Sequence, residues 1–212
     1  MAALDCLDRE KENQRIDKMI PIPNPIKEPS TFDVRCRKAG AGWLRENPNC
    51  ERPADKWSPF RQVLADGFSN RCAFGAMYIP SGTVDHFVSW KEDNSLAYEW
   101  ENFRYVEGWV NSSKNKKQAS IVLDPFVVCE GWFEILLPSM QLIATDLIPV
   151  EFKDLAKSTL DNLPIRDDER ALRVRREWYR MYEEEELTLE GLRKKAPLIA
   201  AAVDKKNAQG GG

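Results

Sequence analysis

The apolar positions change their spacing along the chain. From Phe32 to Pro59 no period holds, and Gly40, Gly42, Pro48 and Pro53 interrupt every run. Phe60, Val63, Leu64 and Phe68 then fall on one helical face, which predicts a helix over about 59–68. Ser58 is placed to cap it, Pro59 suits its first turn, and Gly67 marks its end. From about 71 to 147 the apolar runs shrink to strand length. Segments 72–79 and 83–88 flank Pro80-Ser81-Gly82 and predict a hairpin, and 121–123, 132–137 and 142–147 predict further strands. The polar run from Asn111 to Lys117 predicts a short helix among them. Beyond about 150 the helical period returns, over 151–163, over 167 to about 186 with Leu172, Trp178, Met181 and Tyr182 in step, and over 189–203. The pattern predicts an α+β protein in three parts: an N-terminal extension (1–58), a strand-bearing domain (59–150) and a helical C-terminal region (151–212).

The extension carries Ile20-Pro21-Ile22-Pro23-Asn24-Pro25, and three prolines at that density favour an extended arm. Such an arm lies across the domain, engages another subunit, or is a flexible leader. Seven Trp and nine Phe are enough to fill a core, and no apolar run approaches the roughly 20 residues of a membrane span. The charged start has no signal-peptide form, so a cytoplasmic location is expected. Five cysteines without a CxxC pair argue against a four-cysteine zinc site and for reduced thiols. A formal charge of −3 matters more. Phosphate neutralisation supplies most of the affinity of proteins that hold DNA alone, so a nucleic-acid role here requires localised positive charge or a partner that grips.

The chain has one histidine, His86, and it follows Asp85 directly at the end of a predicted strand. Neighbouring strand residues point to opposite faces, so the two side chains serve different atoms of one site. Imidazole suits a general base near neutral pH, and a carboxylate supplies the hard oxygen that Mg²⁺ prefers. Asn102 follows in Trp100-Glu101-Asn102-Phe103-Arg104, and Asn111 in Val110-Asn111-Ser112-Ser113-Lys114.

In this order the residues resemble the HNH, or ββα-metal, endonucleases, whose signature is a hairpin strand ending in Asp-His, an Asn in the loop that follows, and an Asn or His opening a helix across the hairpin. The likeness covers about residues 60–118. It implies a ββα core and a catalytic set of His86, Asp85, Asn111 and Asn102. His86 would activate the attacking water, Asp85 and Asn111 would hold a single Mg²⁺ or Mn²⁺, and Asn102 would pin the loop. It further implies phosphate contacts from Lys114 and, less directly, Arg104. Many such domains hold a structural zinc on two Cys pairs. Here Cys72 stands with Gly75, Glu107 and Val110 in those places, so no zinc is expected. The strings Leu123-Asp124-Pro125-Phe126 and Gly131-Trp132-Phe133-Glu134 resemble parts of the HNH subunit of Septu-type antiphage systems, which works beside an ATPase. That likeness implies DNA as substrate, a protein partner such as an ATPase, and antiviral defence.

Plainer readings stand beside these. Lys114, Lys116 and Lys117 also fit a solvated helix face, Asp124 before Pro125 fits a turn former, and Trp178, Tyr179 and Tyr182 fit a core. Two rivals to a free-standing nuclease follow: a non-catalytic partner subunit with a remnant HNH fold, and a nuclease active only within an assembly.

Overall fold

The computed structural model describes residues 26–210, so the proline-rich arm lies outside the described residues. Among the described residues the architecture is α+β, with two separate two-stranded antiparallel sheets among seven α-helices. A π-helical stretch, Asp33–Lys38, runs directly into α1 (Ala39–Glu46). This element was not expected, because Gly40 and Gly42 weaken a helical pattern. The reason for Gly40 is steric: a Cβ there would stand 2.4 Å from the ring of Tyr98. Next comes α2 (Arg61–Gly67), led in by a 3₁₀ turn at Ser58–Phe60, close to the predicted helix. Its entry is fixed by Asp55, whose carboxylate accepts from the Ser58 amide at 2.9 Å, and not by Ser58 itself.

The first sheet departs from the expected pairing. Strand β1 (Thr83–His86) pairs with β2 (Phe103–Val106) in the register Thr83↔Val106 to His86↔Phe103. Segment 72–79 contributes only a single bridge, Arg71↔Tyr78. It curls instead into a tight loop: the amide of Ala76 donates to Cys72 O at 2.8 Å, and Ala76 takes a left-handed φ of 55°. The apolar run there reflects burial of Cys72, Ala73 and Phe74 in the core, which a run alone does not distinguish from a strand.

Helix α3 (Gly108–Lys114) follows β2 at once and packs back on β1. The predicted strand at 121–123 is absent; a 3₁₀ turn, Ala119–Ile121, occupies its start. The second sheet pairs β3 (Phe133–Leu136) with β4 (Gln141–Ala144). Helices α4 (Val150–Asn162) and α5 (Glu169–Glu183) lie within a few residues of expectation. The last predicted helix is two, α6 (Leu189–Lys195) and α7 (Pro197–Gly210), because Pro197 has no N–H to continue α6 and suits a first helical turn.

The main core gathers Phe32, Trp57, Phe60, Trp100 and Phe103 with the inner faces of α5–α7. Phe32 is fully buried and meets Phe60, Trp100 and Phe103 edge-on with centroids 5.0, 5.1 and 5.8 Å away, tying the segment before α1 to the first sheet. Cys36, Cys50 and Cys72 are free thiols, as expected. No helix of the described residues is long and apolar enough to cross a membrane.

Candidate active site

β1, β2 and α3 bring His86, Asn102, Asn111, Asp85 and Lys114 around one strand. Asp85 and His86 are consecutive on β1 and point to opposite sides of it. The His86 ring enters an aromatic cage: Trp57, Trp90 and Phe103 meet it edge-on at 4.6, 4.9 and 4.9 Å. Nε2 lies 2.8 Å from the carbonyl oxygen of Ala97, which can only accept, so Nε2 carries the proton. Nδ1 has no hydrogen bond among the described residues and is left as the basic nitrogen. Burial pushes the imidazole down to about 4, assisted by the positive charge of Lys114 and Arg52 and opposed by the Ala97 carbonyl. At neutral pH it is an uncharged, oriented base.

Asn102 closes the loop between the strands. Its Oδ1 accepts from the Val88 amide at 2.8 Å, and its Nδ2 donates to Val88 O and Leu96 O at 2.9 and 3.0 Å. Two parts of the loop, Val88 just after His86 and Leu96 next to Ala97, are thereby fastened together through one side chain. Asn111 is on α3 one turn from its start, not at its opening. Its Nδ2 donates to Thr83 Oγ1 at 2.9 Å and Val84 O at 3.4 Å, and its Oδ1 has no hydrogen bond among the described residues.

Asp85 is 1% exposed and faces the ammonium of Lys114, itself 4% exposed, with Nζ 3.1 Å from Oδ2. The same ammonium donates to Asp85 Oδ1 at 3.2 Å, His86 O at 2.9 Å and Phe87 O at 2.8 Å. Burial raises the Asp85 carboxyl to about 6, against the lowering pull of Lys114 and Arg104. Here the expected phosphate contacts need correction. Lys114 is spent on Asp85 and two carbonyls inside the fold. Arg104 forms a fork with Asp124 (Nε–Oδ1 2.9 Å, Nη2–Oδ2 2.6 Å), and its guanidinium lies 3.7 Å from the Phe126 ring centroid. Neither cation is directed at solvent. Asp124, read as a turn former, both caps Phe126 and anchors Arg104.

Asp85 and Asn111 both lie at the seam between β1 and α3, and Asp85 is paired there with Lys114. Two cations within about 3 Å of each other in a buried site repel strongly, so a divalent ion does not fit at Asp85 while the ammonium is there. Among the described residues no three His, Cys, Asp or Glu side chains gather as a metal group. The positions likened to zinc ligands do converge. The Glu107 amide donates to Cys72 Sγ at 3.4 Å, a Cβ on Gly75 would lie 3.8 Å from that sulfur, and Cys72, Gly75, Glu107 and Val110 line one cavity of about 710 Å³.

Some of the site has no signature in the sequence. The Ala97 carbonyl that orients His86 belongs to the backbone, and Trp57 lies far from the motif in the chain. Only the density of tryptophan hinted at the cage. Compared with known proteins, the chain matches no family model, no curated protein and no solved structure.

Proposed function

We propose that this chain is an HNH-type endonuclease that hydrolyses DNA phosphodiester bonds, as the effector subunit of an antiphage assembly with a protein partner such as an ATPase. One observation carries the reading. A strand, a loop and a crossing helix bring together a neutral histidine with a fixed tautomer, an asparagine that fastens the loop orienting it, and a second asparagine beside the strand. That is an arrangement for presenting one basic nitrogen, His86 Nδ1, to a water molecule. Convergence of the four zinc-like positions supports the same resemblance from residues outside the catalytic set.

In this mechanism His86 Nδ1 takes a proton from water as the oxygen attacks phosphorus, and the Ala97 carbonyl stabilises the imidazolium that forms by accepting from Nε2–H. A divalent ion held by Asp85 and Asn111 would supply charge neutralisation at the phosphate. With Lys114 on Asp85 it does not fit. The need for a partner follows from charge. A net −3 leaves little attraction for phosphate, and the two candidate cations are internal.

The test is cleavage of plasmid and linear DNA by the purified chain with Mg²⁺ or Mn²⁺, beside His86→Ala. Loss of a general base should lower the rate at least about 100-fold, with unchanged circular dichroism. Equal cutting by the two proteins refutes the mechanism. The Asp85–Lys114 pair favours a second reading, a non-catalytic partner subunit with a remnant HNH fold. A remnant has no use for a metal, so a chain that binds no Mn²⁺ in any variant supports that reading.

A further inference from the structure

Resting on the nuclease reading, we infer that Lys114 is a latch: its ammonium occupies the cation position at Asp85 and must leave before a divalent ion can enter. The proton count around the ammonium points this way. Lysine has three N–H donors, and here they go to Asp85 Oδ1, His86 O and Phe87 O. Asp85 Oδ2 lies within ion-pair distance of Nζ but receives no hydrogen bond from it or from any described residue, although it is buried. A purely structural ion pair gains most when every lone pair is satisfied, and an orphaned buried oxygen is costly. The cage thus presents four oxygens to a donor with three protons. A metal ion has no such limit, and a set of carboxylate and carbonyl oxygens is what Mg²⁺ or Mn²⁺ binds.

Lys114 is the last residue of α3, and the next residue, Asn115, ends the helix. Withdrawal of the ammonium requires movement of that final turn, whose Asn115 amide donates to the Asn111 carbonyl at 2.9 Å, while the Asn111 side chain is held to Thr83. Once withdrawn, Lys114 leaves Asp85 to the metal and becomes a free cation beside the site.

The experiment is Mn²⁺ binding at pH 7.5, read by loss of the free-ion electron paramagnetic resonance signal, for the parent, Lys114→Met and the double variant Lys114→Met/Asp85→Asn. Lys114→Met should bind one Mn²⁺ at least about tenfold more tightly than the parent, and the double variant should lose that site. A second measurement uses the parent alone and does not depend on whether a variant folds. Modification of Lys114 by an amine-reactive acetylating reagent, followed by mass spectrometry, should be slow in EDTA and rise several-fold in saturating Mg²⁺. If Lys114→Met binds no more tightly than the parent, or Lys114 stays protected at saturating Mg²⁺, the latch is overturned. Where the parent also binds Mn²⁺ and cuts DNA, the nuclease reading survives that result. If no variant binds metal or cuts, both fall. If Lys114→Met gains the site yet nothing cuts, the cation exchange stands and a nuclease that acts without a partner is excluded.

Discussion

The described residues form two antiparallel hairpins of equal strand length, and they bury different things. β3–β4 closes through a short turn at 137–140, sets Ile135 opposite Leu142 inside, and leaves Glu134 and Leu136 at or near the surface. β1–β2 is joined by the long loop 87–102 and buries Asp85, His86 and Arg104 together with Phe103 and Tyr105. Burying a charge or an imidazole costs free energy unless its partners are supplied. A hairpin does not need these groups in order to form, as β3–β4 demonstrates. The first hairpin carries polar groups for which the protein supplies an ammonium, a carbonyl and an aspartate fork, and that expense is what marks it as the candidate site.

The largest break in this contrast comes from removing one member of the buried pair. Asp85→Ala leaves the Lys114 ammonium buried without its counter-charge, and should cost about 3–5 kcal/mol. The double variant Lys114→Met/Asp85→Asn removes both charges at similar volume and should recover most of that loss. Urea denaturation in EDTA measures both. Equal destabilisation by the single and double variants would show that the pair is not coupled as drawn.

The next effect is on pH dependence, where the two buried groups oppose each other. His86 is held neutral to about 4 when folded, against an ordinary value of 6.5. As pH falls, the unfolded chain therefore takes the proton first, and this group withdraws stability between about 6.5 and 4. Asp85 is raised to about 6 from 3.8. Here the folded protein takes the proton first, and stability is added as pH falls from about 6 to 3.8. The two contributions run in opposite directions over overlapping pH ranges, so each offsets part of the other in the parent. Asp85→Asn should uncover the His86 loss on acidification, and His86→Phe should uncover the Asp85 gain. Urea midpoints at pH 7, 5.5 and 4 in EDTA check the signs. Parallel profiles for all three proteins would contradict them.

How far the sequence exposes this structure depends on the range of the forces involved. Helices α4 and α5 were legible because a 3.6-residue period repeats over several turns. The break at Ala196-Pro197 is also written in the chain, in the missing proline N–H. The partner of β1 was not legible. Pro80-Ser81-Gly82 is a strong local turn signal, and nothing local says that the strand pairs instead with 103–106. At the site, the order Asp-His, Asn, Asn-x-x-Lys located the cluster, and the alternation along β1 placed Asp85 and His86 on opposite faces. The direction of Lys114 was hidden, because a seven-residue helix is too short for its period to say which side chains turn inward. The Arg104–Asp124 fork joins residues that no local pattern connects.

The smallest expected effect tests the other hairpin. Glu134 of β3 pairs with Lys205 of α7 at 2.8 Å, with side chains 34% and 60% exposed. Solvent screens such a pair, and ordering two long side chains offsets its attraction, so Glu134→Ala should cost less than about 1 kcal/mol in urea denaturation. The charge leaves water only partly, and the Lys205 it abandons stays hydrated. Both hairpins thus contain a carboxylate–lysine pair at close range, 3.1 Å at Asp85 and 2.8 Å at Glu134, and the shorter contact should be worth less. A loss of 2 kcal/mol or more at Glu134 would mean that burial is not what separates the hairpins. The case for Asp85 as more than a structural charge would then lose its baseline.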